Sequence, residues 1–344
     1  KMSKSLGNSP DPIELIEKYG ADGVRMGMLL ASPAGNDLPF DESYCEQGRN
    51  FSNKIWNALR LIKSQKVEDI PQSNSSKLAI EWFRAKINQT LSLLEDDFSK
   101  YRLSESLMRV YKFIWDDFCS WYLEIIKPAY QSPMDKATYE QTLDIFETLM
   151  KILHPFMPFV TEEIYHLIRE REEKDFIMLA QMPEVQPFDE KLLADFEFVQ
   201  EFVACIRAVR NEKNIPQKNT LEAFFAKTAE AEVVEKYSEL ITKLCNLQTL
   251  AMCDQKVEKS VAKMVRTMEV FVPFADNINK EEEIKKINEE IKYFEGFKAS
   301  VEKKLANENF VNKAPQKVVD TERKKLSDCE QKLQTLREQL AGLA

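Results

Sequence analysis

The sequence of 344 residues is 44% hydrophobic and 31% charged, a balance that suits a soluble protein able to bury a real core. No apolar run approaches the roughly 18 to 20 residues needed to span a bilayer, and the six cysteines form no C-x-x-C pair, which argues against a zinc site or a disulfide framework and fits a reducing cytoplasm. A net charge of −9 means that any nucleic-acid contact must come from local basic patches rather than bulk attraction.

Eight glycines against twelve methionines, with many Glu, Lys and Leu, predict a mainly α protein. In chain order the first feature is Lys1-Met2-Ser3-Lys4-Ser5-Leu6-Gly7-Asn8. Two ammonium groups three residues apart, two hydroxyls and a glycine make a loop suited to a polyanion. Asp11-Pro12 reads as an N-cap and a first helical position, opening a helix through Tyr19 with Gly20 behind it. A second helix is expected over Ala21 to Leu30. From Asp41 to about Lys66, Phe51, Ile55, Leu59 and Ile62 recur at helical spacing. Val67 to Ser76 reads as a loop, and helices follow over about Lys77–Asp97, Leu103–Ile126 and Asp135–Glu170. The last is predicted to kink near His154-Pro155-Phe156-Met157-Pro158. Together these make an antiparallel helical bundle.

After a charged, proline-bearing connector, a helix is expected from about Phe196 to Asn211, then a strand at Thr220–Ala226 and a helix at Glu230–Cys245. Strands at Thr249–Met252 and Thr267–Pro273 complete a small α/β module. Arg207 and Arg210, with Lys213 and Lys218, cluster here as a patch for backbone phosphates. From Asn279, Ile284, Ile287, Ile291, Phe294, Val301 and Leu305 step by three and four, with Lys298 interrupting. Leu326, Cys329, Leu333, Leu336, Leu340 and Leu343 repeat the rhythm, which predicts a C-terminal antiparallel coiled-coil hairpin. His154, set between apolar residues and a proline, is expected to be packed and satisfied, and no Ser/His/Asp, Cys/His or metal spacing appears.

The string KMSKS followed by LGN resembles the signature loop of the class I aminoacyl-tRNA synthetases. Tyr19 to Arg25 resembles the piece behind that loop, which braces the catalytic fold against a helical domain. The strings at 49–57, 115–124 and 153–163 resemble the anticodon-binding domain of the Val/Ile/Leu/Met subgroup. The run at 305–315, followed by Val318-Val319, looks like the terminal arm of the valine branch.

The resemblance implies an ATP-dependent ligase whose partners are valine, ATP with Mg2+, and tRNA(Val), acting as a cytoplasmic monomer with no membrane partner and no metal site in this stretch. Lys1, Met2, Ser3, Lys4 and Ser5 would bind the ATP phosphates, Lys4 being the main catalytic group with Lys1 assisting. Arg49, Lys54, Trp56, Asn57 and Arg60 are the expected anticodon-facing set. Lys303, Lys304 and Arg323 join Arg207 and Arg210 as expected tRNA contacts.

The expected domains are 1–45, the end of a catalytic domain; 46–185, the anticodon bundle; 186–277, the α/β module; and 278–344, the arm. The family's HIGH-type motif and editing domain are absent from this sequence, so the start on Lys1 reads as a fragment and the chain alone as inactive. A non-enzymatic RNA-binding or coiled-coil adaptor, or another synthetase of the subgroup, stands as the alternative.

Overall fold

The computed structural model describes residues 9–32, 40–273 and 280–306 and, in the last arm, 321–327, 329–330, 333–334 and 336–337. The chain divides into two compact units, 1–256 with 262–271 and 257–261 with 272–344.

In the first unit, α1 (Pro12–Tyr19) opens where the cap chemistry places it: the Asp11 carboxylate accepts the Ile13 N–H at 2.8 Å, and Pro12 takes the position whose N–H has no helical partner. Gly20 turns the chain into α2 (Ala21–Leu30) at φ +76°, a conformation that a side chain would strain. α3 (Glu42–Lys63) starts on an Asp41 cap and buries Phe51, Ile55, Leu59 and Ile62, as their spacing predicts. The predicted loop after it is shorter than expected. Val67–Glu68 pairs as a two-residue strand, β1, with β2 (Met134–Asp135), in parallel. Ser73, accepting the Ser76 N–H at 3.1 Å, then starts α4 (Asn74–Ser99).

The predicted single helix over Leu103–Ile126 is three segments end to end. α5 (Leu103–Lys112) widens into a ten-residue π-helix, Phe113–Tyr122, and closes as α6 (Leu123–Ile126). The π-helix turns Phe113, Phe118 and Tyr122 into the core. There Phe83 stacks on Phe113 at 5.1 Å and meets Tyr122 at 4.9 Å, while Phe118 stacks on Phe146 at 5.5 Å. Each such ring pair adds about 0.5–1.5 kcal/mol beyond its burial.

The expected kink is a complete break between α7 (Lys136–Leu153) and α8 (Pro158–Ile168), with Pro158 at the first helical position. His154 sits in that break, its Nδ1 2.8 Å from the Thr161 hydroxyl, and burial pushes its pKa down.

α9 (Glu190–Glu212) begins well before the expected Phe196, because Asp189 accepts the N–H groups of Lys191 and Leu192 at 2.8 and 3.1 Å. The helix expected over Glu230–Cys245 is broken at Tyr237 into α10 (Ala231–Lys236) and α11 (Ser238–Cys245). β3 (Leu221–Ala226), β4 (Leu247–Cys253), β5 (Ser260–Val265) and β6 (Met268–Pro273) form a mixed sheet in the order β4-β3-β6-β5. In it β3 runs parallel to β4 and antiparallel to β6. β5 is the strand that the sequence reading lacks. Trp82 of α4 stacks on Phe196 of α9 at 3.9 Å, and Phe196 meets Tyr237 edge-on at 5.9 Å, so this module and the bundle share a core.

In the second unit α12 (Lys280–Leu305) lies antiparallel to the arm described within 321–337, as the ion pairs Arg337–Glu295 (2.8 Å), Lys298–Glu330 (2.8 Å) and Lys304–Glu322 (3.8 Å) require. Val301, Cys329, Leu333 and Leu336 are buried in the seam. Lys298, a charged residue at a seam position, is half-buried and pairs with Glu330 and with Glu302 at 3.7 Å, and the Glu322 carboxylate is buried beside Lys304 and Lys325. The expected seam positions Leu340 and Leu343 and the separating run at 307–315 lie outside the described residues, as do the side chains of Ile284 and Ile287.

Candidate nucleic-acid interface

Lys1 to Ser5 lie outside the described residues; what is described is the ground on which they stand. α1 is tied to the start of α3 by Lys18–Glu42 (2.9 Å) and by the Tyr19 hydroxyl donating to the same carboxylate at 3.0 Å. α2 crosses α3 at backbone contact: a Cβ on Gly27 would come within 2.7 Å of the Cys45 nitrogen, and one on Gly48 within 2.7 Å of the Gly23 carbonyl. α2 is also bonded to the turn before α8. The Asp22 carboxylate accepts the Phe159 and Val160 N–H groups at 3.3 and 2.6 Å, and Arg25 donates to the Phe156 and Pro155 carbonyls at 3.2 and 3.3 Å. Burial outweighs the two N–H donors and pushes the Asp22 carboxyl up. These two residues were not singled out in the sequence, although both strings they join were.

The expected anticodon set on α3 is not one patch. At about 100° per residue, Arg49, Trp56 and Arg60 share a stripe with Asn53 and Asn57, while Lys54 turns to the margin of the core, its ammonium 5.2 Å from the Trp115 ring. Arg49 is committed to the α1–α3 joint. It donates to the Lys18 carbonyl at 3.4 Å, pairs with Glu46 at 3.3 Å, and lies 5.6 Å from the Tyr19 ring centre. Asn53, Asn57 and Arg60 are exposed and Trp56 is half-buried; the Arg60 guanidinium has no partner among the described residues. An open guanidinium, two amides and an indole edge are groups that bond base edges and stack on unpaired bases.

The patch expected around Arg207 and Arg210 requires a correction. Arg210 is 1% exposed. Its guanidinium donates to the carbonyls of Pro216 (2.9 Å), Asn219 (2.8 Å) and Cys245 (2.8 Å), so it pins the turn after α9 to the end of α11, and its burial keeps it from a phosphate. Arg207 is half-buried, donating to the Leu244 carbonyl at 3.2 Å and lying 5.5 Å from the Trp121 ring. On the second unit Lys303, Lys304 and Arg323 are all exposed, Lys304 within 3.8 Å of Glu322. Among the described residues no cluster of His, Cys, Asp or Glu could hold a metal ion.

Comparison with known proteins finds three matching stretches. Residues 1–41 match the class I tRNA synthetases of the I, L, M and V group, 81–225 the anticodon-binding domain of tRNA ligases, and 279–344 the valyl tRNA synthetase tRNA-binding arm. The chain is 53% identical over 344 residues to the valine–tRNA ligase of Parabacteroides distasonis, covering 100% of this chain and 39% of that protein. It is 53% identical to that of Phocaeicola vulgatus and 50% to that of Porphyromonas gingivalis, again over 100% of this chain and 39% of each relative. The chain thus spans about two fifths of the length of the curated relatives it matches, and within that span the likeness is continuous. From the signature string at its start to the arm at its end, the chain is similar to the C-terminal part of the valine–tRNA ligases.

Proposed function

We propose that the chain is the tRNA-binding part of a valine–tRNA ligase, the enzyme that activates valine with ATP and transfers it to tRNA(Val). The observation that carries this reading is the arm at 279–344, whose match is to the valyl enzymes, in one chain with the anticodon-binding match at 81–225. In this reading Lys1 to Ser5 hold the phosphates of ATP, supplied as its Mg2+ complex. Lys4, with Lys1 beside it, faces the charge that develops on the leaving pyrophosphate. The α3 stripe of Trp56, Asn57 and Arg60 reads unpaired bases, residues 46–185 acting as the anticodon bundle. Lys303, Lys304 and Arg323 meet the RNA backbone. The protein works as a cytoplasmic monomer; among the described residues no helix is long and apolar enough to cross a membrane.

Binding measured against a valine-accepting tRNA transcript and a transcript for another amino acid tests the reading. The expected result is tighter binding to the valine acceptor, weakening steeply as salt rises because phosphate contacts release counterions. Equal affinity for both transcripts would favour the adaptor reading instead.

A further inference from the structure

Between α4, α5 and the π-helix the bundle opens into a groove of about 630 Å³, within the range of roughly 300–1,000 Å³ typical of small-ligand sites. Its apolar walls are Leu93, 42% exposed, with Met108 and the ring of Tyr44. Into it comes Asp117, from the π-helical stretch, a helix irregularity that recurs at functional sites. The Asp117 side chain is only 21% exposed; Lys86 stands 4.0 Å away, and the neighbouring Asp116 adds a like charge. No hydrogen bond reaches its oxygens among the described residues, although an ionised carboxylate has about four lone-pair sites to fill. Leaving such a group unpaired is costly, and burial accordingly pushes its carboxyl up to about 6.

The other polar groups on the groove sort themselves. Arg109 is taken, its Nε bonded to Asp97 at 2.9 Å. Glu105 adds a second negative charge, so an anion has no welcome at the floor. Among the described residues the Gln89 amide and the Lys112 ammonium have no partners, and Lys112 stands exposed. A carboxylate acceptor deep in the groove, apolar and aromatic walls, and lysines near the opening suit one kind of occupant. It is flat and apolar on its faces, donates N–H groups from one edge, and carries a phosphate on the other side. The anticodon-binding match, 81–225, spans Lys86, Gln89, Lys112 and Asp117.

We infer that this groove receives one unstacked nucleotide of the RNA partner, Asp117 accepting from the amino edge of its base and Lys112 facing its phosphate. Cytosine, adenine and guanine each present an amino group to such an acceptor, and uracil does not. The inference rests on the tRNA-binding reading above.

The test uses the whole chain and a valine-accepting tRNA transcript, in filter binding across a salt series and in photocross-linking from a benzophenone amino acid placed at position 93. Asp117→Asn is expected to weaken binding by roughly 5- to 100-fold, the size of one lost base-edge contact, without lowering the melting temperature. Lys112→Ala, at an exposed site, is expected to reduce the log–log salt slope by about one. The cross-link from 93 is expected at a single unpaired C, A or G. Tight binding by the parent with both variants unchanged, or a cross-link only to uridine or paired stems, overturns the groove assignment alone. Failure of the parent chain to bind the transcript overturns it together with the tRNA-binding reading.

Discussion

Asp117 is held against its own solvation: burial raises its carboxyl to about 6, and Lys86 at 4.0 Å only partly restores the charged form. Its folded-state pKa therefore lies above the unfolded value of about 3.9. Between those values the folded protein binds more protons than the unfolded chain, so stability falls as pH rises through that window. The penalty is absent near pH 3–4 and complete above about 6, with an upper size of about 2–3 kcal/mol from 1.36 kcal/mol per unit. Asp117→Asn is expected to raise the melting temperature by several degrees at pH 7.5 and to change it little at pH 4. A lower melting temperature at pH 7.5 would make the Lys86 pair a stabilising contact and Asp117 a structural residue. Arg210 is the contrasting buried charge, bonded to three carbonyls. Its fate was legible in the sequence. Phe196, Val199, Val203, Ile206 and Arg210 step by three and four along one face of α9, and the first four are buried core. Residue type argued for a surface arginine and spacing argued for a buried one; three carbonyls within reach let spacing win.

At the scale of elements, the α2–α3 crossing is set by the absence of side chains. A Cβ on Gly48 would stand 2.7 Å from the Gly23 carbonyl oxygen and 2.9 Å from its Cα, and helix backbone cannot swing aside as a side chain would. Gly48→Ala is expected to cost about 1–3 kcal/mol, the usual range for overpacking, read as a lower urea midpoint with an unchanged slope. An unchanged midpoint would mean that the helices separate freely, and that α2 is not fixed to the bundle as closely as the crossing implies. The helices themselves were readable, because caps and periodicity are local. Asp11-Pro12 and Asp41 start α1 and α3 as expected. Asp189 could have started α9 by the same rule, but the prolines at 183 and 187 pulled the expected boundary to Phe196. The π-helix was not readable. Phe113 and Phe118 would stand about 140° apart on an α-helix, but a single five-residue step inside a long helical pattern does not announce a wider turn, and that turn is chosen by the rings of Phe83 and Phe146 that they meet, far away in sequence. The same distance hid the Asp22 and Arg25 bonds to residues 155–160, and the groove around Asp117. Motif strings marked both neighbourhoods, but only the fold says which atoms face one another.

On the scale of the whole molecule, phosphate chemistry and RNA binding are assigned to different parts of the chain, so they should separate under mutation. In the second unit the arm has nearly balanced charge, and several of its lysines and arginines are engaged with its own glutamates: Lys298 with Glu330 and Glu302, Arg337 with Glu295, Lys304 with Glu322. The pairs of Lys298 and Arg337, whose side chains stay in reach of solvent, are weak, about 0–1 kcal/mol each, and give way readily to a phosphate. On the proposed tRNA-binding reading, the arm holds RNA through a few rearranging contacts rather than a strong field. Deleting Asn279–Ala344 is expected to leave the first unit folded, since its buried core is its own, to weaken binding of a valine-accepting tRNA, and to flatten the salt slope. Lys4→Ala, made in the longer ligase, is expected to do the reverse. Valine-dependent pyrophosphate exchange slows on the order of 10²- to 10³-fold, the usual loss for one group that stabilises developing charge, while tRNA affinity holds. Measured side by side, the two variants form a crossed pair. If deletion of the arm leaves both affinity and slope unchanged, the hairpin is a structural appendage. If Lys4→Ala leaves exchange unchanged, the signature string contributes nothing to the chemistry in this protein, however closely it resembles the family's loop.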